Sequence, residues 1–100
     1  MFERKVILGF MRVHILHHAI EPEGVYGMWM IDELSRHGYR VSPGTIYPLL
    51  HEMEREGILR SRARKSGGRS RRIYRATPKG KRILGRIRRS ITELHGEVIV

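Results

Sequence analysis

One hundred residues make one small domain with a limited core, so a second subunit is expected to cover part of its apolar surface. The chain has no cysteine, which excludes disulfides and thiolate metal centres, and no apolar run approaches the roughly 20 residues that cross a bilayer. The net charge is +10, and between Arg60 and Arg89 stand fourteen lysines and arginines and no acid. Cations held that densely repel one another unless a polyanion offsets them. Nucleic acid is the first candidate partner and an anionic membrane surface the second.

Phe2 to Ile20 reads as the first helix, with Val6, Ile7, Leu8, Phe10, Met11, Val13, Ile15, Leu16, Ala19 and Ile20 around most of its circumference. Such a helix is expected to be buried in a core or between subunits. The apolar run is interrupted by Arg12, His14, His17 and His18, so it is not read as a leader, and a cytoplasmic protein is expected. His14, His17 and His18 have the spacing of ligands on one helix face. They are read as polar residues of an exposed edge and no metal is assigned, because no neighbouring carboxylate or cysteine completes the set.

Glu21-Pro22-Glu23-Gly24 breaks the helix. A second helix follows to Arg36, with Met28, Ile31 and Leu34 on one side and Met30 and the single tryptophan, Trp29, beside them. Gly38 ends it. Ser42-Pro43 opens a third helix, serine as N-cap and proline at the first helical position, and Gly57 follows its end. Ile46, Leu49, Leu50 and Met53 form its apolar stripe, and Thr45, Tyr47, Pro48, His51 and Arg55 take the other face. Pro48 stands inside the helix, where proline costs about 3 kcal/mol and removes a ladder bond.

After Gly57 the period becomes two. Leu59, Ser61 and Ala63 alternate with Arg60, Arg62 and Arg64. Lys65 to Ser70 is expected to be a mobile basic tip, and Arg71 to Ala76 the returning strand. Thr77-Pro78 repeats the cap-and-proline start, and Ile83, Ile87, Ile91, Leu94 and Val98 make one apolar seam along a terminal helix. So narrow a seam predicts a partner helix, with a symmetric homodimer as the default.

These elements predict an α+β, mostly α, winged helix-turn-helix with a two-stranded wing and a C-terminal dimerisation helix. The winged-helix unit is placed at 1–76 and the dimerisation helix at 77–100, together one compact domain. Three stretches carry a more specific likeness. Gly44-Thr45-Ile46-Tyr47-Pro48-Leu49-Leu50-His51-Glu52-Met53-Glu54-Arg55-Glu56-Gly57 resembles the signature of the PadR family of bacterial and archaeal transcriptional regulators. Gly38 to Pro43 before it, and Gly68 to Gly80 after it, are similar to the same family, and the likeness spans Gly27 to Lys81. It implies a repressor-like homodimer on a palindromic operator in double-stranded DNA, with dimerisation through the last helix and often the first. Many members respond to a small-molecule effector. Family members commonly carry an aromatic and then an acidic residue after the glycine of the second helix. Here Met28 and Trp29 stand there, so Trp29, with Met11, is a candidate pocket residue.

Expected DNA contacts are Ser42, Thr45, Tyr47 and His51 from the third helix and Lys65, Arg69, Arg71 and Arg72 from the wing. Enzyme chemistry is not expected. The chain lacks a cysteine nucleophile and a phosphate-binding glycine loop, and Ser42 and His51 lie at opposite ends of one helix. No cofactor is expected. The alternative reading is a non-specific basic adaptor for nucleic acid or an anionic surface.

Overall fold

The structure, a computed structural model, describes residues 1–99. Four helices and one hairpin follow in chain order: α1 Phe2–Ala19, α2 Gly27–Arg36, α3 Pro43–Arg55, β1 Leu59–Ser66, β2 Arg69–Ala76 and α4 Pro78–Val98. This is the expected mostly helical winged-helix architecture. No helix among the described residues is long and apolar enough to cross a membrane.

One core joins all the elements. Met11, Ile15, Leu16 and Ala19 of α1 meet Met30 and Leu34 of α2, Ile46, Leu49, Leu50 and Met53 of α3, Leu59 and Tyr74 of the hairpin, and Leu84 of α4. Each fully buried Leu or Ile contributes about 1.5–3 kcal/mol of transfer free energy. The buried face of α2 is Gly27, Met30 and Leu34, not the Met28 side expected from spacing. Met28 is 53% exposed and sits beside the hairpin. Both faces of this short helix are apolar enough to fit a helical period, and packing against α3 selects one of them.

Helices α2 and α3 end in the same way. Tyr39 N donates to Leu34 O and Gly38 N to Ser35 O, and likewise Ile58 N donates to Met53 O and Gly57 N to Glu54 O. Each pair of bonds turns the chain through a left-handed glycine, at φ +87 for Gly38 and +75 for Gly57. Both expected stops are therefore where the sequence placed them.

The hairpin differs from expectation at its tip. The strands pair in register from Leu59↔Ala76 to Ser66↔Arg69, so the turn is two residues, Gly67-Gly68, both at positive φ. That is the turn geometry whose twist matches paired strands. The glycines thus fix the register of a stiff ribbon rather than loosening a six-residue loop. The turn after α1 also does more than break a helix. Val25 and Tyr74 exchange two backbone hydrogen bonds, at 2.9 and 2.7 Å, and tie this link to β2.

Helix α4 begins in the core and leaves it. Thr77 accepts from Gly80 N through its hydroxyl and donates to Gly57 O at 2.5 Å, and its backbone N–H donates to Ile58 O. Gly80 and Leu84 are buried, but Ile91, Leu94 and Val98 are 48, 53 and 62% exposed. On α1, Phe2, Val6 and Phe10 are exposed as well. The helix expected to be covered all round is buried on one face only within a single chain.

Histidines collect where α1 meets the end of α2. His14 stacks 4.5 Å from His37, and Glu33 lies 3.3 Å from His18 Nε2 and 3.1 Å from His37 Nε2. Burial, then the imidazoles of His37, His18 and His17, pushes the His14 imidazole below its ordinary value. Against the cost of lost hydration, hydrogen bonds from His37 and Arg36 hold the Glu33 carboxyl below the usual carboxylate range.

Gly80 admits no larger residue, because a Cβ there would run into the Ile58 carbonyl oxygen. Gly80→Ala should lower the unfolding free energy by about 1–3 kcal/mol, read as a fall in the urea midpoint.

Candidate nucleic-acid interface

Helix α3 is organised by its inner stripe. With Ile46, Leu49, Leu50 and Met53 buried, an outer stripe of Gly44, Pro48, His51 and Arg55 is left exposed. Its start carries Ser42, whose backbone carbonyl accepts from Thr45 N and Ile46 N. The Ser42 hydroxyl makes no capping bond, contrary to expectation, and stays exposed at the positive end of the helix. A helix start with unspent donors is a ready anion site, and a DNA phosphate is the kind of group it accepts.

The acids of α3 point elsewhere. Glu52 accepts from Arg12 of α1 at 3.2 Å. Glu54 accepts from both the backbone N–H and the hydroxyl of Ser61, at 3.0 and 2.8 Å, and Arg72 Nη1 donates to that hydroxyl at 3.0 Å. Glu54 therefore ties the end of α3 to the first strand of the wing. Both carboxylates are drawn toward neighbouring elements, and the exposed stripe is free of negative charge from Ser42 to Arg55.

Tyr47 is half-buried because α2 makes room for it. A Cβ on Gly27 would collide with the Tyr47 ring, so the buried glycine at the start of α2 is the seat of that side chain. Thr45 is half-buried too. Of the four expected contacts on this helix, Ser42 and His51 are exposed, while Thr45 and Tyr47 are half-buried. Tyr47 nevertheless lines one depression of about 320 Å³ with Tyr26, Met28 and the Arg69–Arg72 segment of β2. The helix and the wing meet there.

On the wing, alternation separates two faces. Arg60, Arg62 and Arg64 lie opposite Arg75, Ile73 and Arg71, and Ala63 and Lys65 lie opposite Arg72 and Ser70. Arg69 and Arg71 thus share one face, and Lys65 and Arg72 the other. All four expected wing cations are exposed. They are not equally free. The Arg71 guanidinium lies 4.4 Å over the Tyr26 ring, a contact worth about 0.5–1 kcal/mol at an exposed site. Arg75 is structural: its Nε donates to Pro22 O at 2.9 Å and braces the link before α2. Burial, with the Glu54 carboxylate nearby, pushes the Tyr74 phenol up, so its ring remains neutral in the core.

Sequence reasoning placed Arg55 on the outer face of α3 but left it out of the DNA contacts, and it passed over Tyr26, which props Arg71, and Glu54, which anchors Ser61. The i+4 step from His51 was a usable signal for Arg55. Nothing local marks Tyr26 or Glu54, whose partners are distant in sequence. Trp29 and Met11, expected to line one pocket, line two different depressions among the described residues. Met11 is in the core, and Trp29 packs edge-on to His18 with ring centroids 5.2 Å apart.

A helix whose exposed stripe is free of acids, set beside an arginine-rich hairpin, defines a winged-helix DNA-binding protein. The sequence matches the model of the family described as Transcriptional regulator PadR-like family over residues 15–86, and the chain belongs to that family. Its members are transcriptional regulators, not enzymes. The chain is 57% identical over 88 residues to Transcriptional regulator Rv3488 of Mycobacterium tuberculosis, covering 88% of this chain and 81% of that one. Among solved structures, a PadR-like transcriptional regulator of Bacillus cereus superposes with a TM-score of 0.81 at 32% identity, covering 94% of this chain and 92% of that one. A PadR family regulator of Eggerthella lenta gives 0.83 at 28% identity, covering 97% and 85%.

Pro48 has a local explanation. The ladder partner it denies is the carbonyl of Gly44, and both residues are exposed in the first turns of α3. Solvent can satisfy that carbonyl, so the cost falls below that of a buried proline. Pro48→Ala should raise the unfolding free energy by about 1–3 kcal/mol in denaturant titration, with α3 otherwise intact.

Proposed function

We propose that the protein is a homodimeric repressor that reads a palindromic operator in double-stranded DNA. Helix α3 enters the major groove through Ser42, Thr45, Tyr47, His51 and Arg55. The wing lies along the flanking phosphates through Lys65, Arg69, Arg71 and Arg72. The observation that carries this reading is the inward turn of Glu52 and Glu54, which leaves the exposed α3 stripe uncharged or basic beside the wing. A merely basic adaptor has no need for such sorting. Family membership supports regulation at DNA.

The second half of the proposal is the dimer. Between α1 and α4 runs a groove of about 660 Å³, lined by Val6, Phe10, Val13, Ile87 and Ile91 among others. Beyond it, α4 continues with Leu94 and Val98 exposed. A small molecule fills a hollow, but a stripe along an exposed helix is covered by another helix. Isologous pairing of α4 and α1 with a second copy covers both, and sets two recognition helices about 34 Å apart on one face of the duplex.

Fluorescence anisotropy against the duplex upstream of the gene, a scrambled duplex and a single strand tests the DNA half. The upstream duplex should bind about 10³-fold or more tightly than the others. Equal affinity for all three defeats the specific-repressor reading and favours the adaptor. Arg69→Ala should shallow the log–log salt slope by about 0.9 on both duplexes. His51→Ala should cost about 1–3 kcal/mol on the operator alone. For the dimer, light scattering at micromolar concentration should give twice the chain mass, and the double variant Ile91→Asp, Leu94→Asp should give the single mass. A wild-type monomer refutes this half.

A further inference from the structure

The histidines of α1 look incomplete as a set in sequence, and the fold completes them with different partners. His14 and His18 stand one turn apart on α1. Glu33 and His37 stand one turn apart at the end of α2. The two pairs face each other. One ring nitrogen from each of His14, His18 and His37 lies within 4.8 Å of the other two. Glu33 Oε2 reaches both His18 Nε2, at 3.3 Å, and His37 Nε2, at 3.1 Å. His17, which sequence spacing places in the group, is exposed and is not part of it.

We propose that His14, His18, His37 and Glu33 form a binding site for a divalent transition-metal ion, with Zn²⁺ as the best fit. Three imidazoles and one carboxylate make a neutral-nitrogen and oxygen donor set suited to tetrahedral zinc. Bonds of about 2.0–2.1 Å put tetrahedral ligand atoms about 3.4 Å apart. The three ring nitrogens, now within 4.8 Å of one another, have to draw inward by up to about 1.4 Å (4.8 − 3.4) to reach that spacing.

Two further contacts set this cluster apart from a chance gathering of histidines. Glu21 Oε1 lies 3.1 Å from His18 Nδ1. A proton held on Nδ1 leaves Nε2, the nitrogen facing Glu33, free to bind a metal, which is the carboxylate–histidine arrangement seen behind metal ligands. Arg36 Nη1 donates to Glu33 Oε1 at 3.0 Å and leaves Oε2 for the ion. The inner side is sheltered, with the His18 and Glu33 side chains only 15 and 14% exposed, while His37 at 45% provides a way in. The cluster lies on the α1–α2 junction. An ion there would clamp α1, whose His14 also borders the α1–α4 groove, to the helix that packs against α3. Control of DNA affinity through that clamp rests on the function proposed above. The binding site itself does not.

Calorimetric titration of the metal-free full chain with Zn²⁺, and visible absorption with Co²⁺ as a coordination probe, test the site directly. One saturable ion per chain and a tetrahedral cobalt band are expected. His18→Gln and His37→Gln should each abolish the cobalt band and weaken zinc binding by more than tenfold. Glu21→Gln should weaken it by about 10–100-fold while the fold, checked by circular dichroism, is retained. His17→Gln should change neither readout. Overturning results are undiminished zinc binding in the His37 variant, an equal loss in the His17 variant, or several weak equivalent ions in place of one. Each of these readouts is independent of DNA, so an absent operator would leave the result standing.

Discussion

The relative placement of α3, the hairpin and α4 depends on one close backbone crossing, where the chain leaving α3 meets the chain entering α4. Ile58 N closes the end of α3 on Met53 O, and Ile58 O then accepts from Thr77 N. Thr77 also caps α4 and reaches Gly57 O through its hydroxyl. Lys79 donates to Glu56 O at 2.8 Å, placing a cation at the negative end of α3. Gly80 lets the two backbones approach this closely. Helix α3, the hairpin and α4 therefore meet at one backbone junction.

Above that junction, the wing is aimed by contacts with neighbouring elements rather than by its own two strands, which are marginal in isolation. Glu54 holds β1 through Ser61, Val25 holds β2 through Tyr74, and Arg75 holds the link through Pro22. The same contacts sort the charge. Glu52 and Glu54 are engaged by Arg12 and Ser61, while the wing arginines remain outside. A chain of net charge +10 thus keeps its few central acids at joints, where they brace the scaffold, and its cations where a polyanion can reach them.

The opposite side of the molecule has a different character. There α1 and α4 expose apolar residues, and α1 meets α2 through imidazoles and Glu33. Helix α1 carries both features on neighbouring faces, since His14 lines the α1–α4 groove and also stacks on His37. Both faces belong to helices that share one core with α3.

Much of this was legible before any coordinates. Helical period, the serine–proline and threonine–proline starts, and the stopping glycines located every helix, because each signal acts within a few residues of the backbone it controls. The acid-free run from Arg60 to Arg89 marked the wing and its partner class, and the signature around Thr45 to Gly57 pointed to the family. What needed the fold was every pairing between distant residues. Gly67 and Gly68 read as looseness until the strand register showed a tight turn. Met28 was grouped with Ile31 and Leu34 until packing against α3 turned Gly27, Met30 and Leu34 inward. Tyr26 under Arg71, Glu54 on Ser61 and His37 against His14 and His18 join residues 7 to 45 positions apart. Periodicity reports which side of an element is apolar. It carries no information about which polar groups meet once those apolar sides are buried, and packing of the shared core settles that.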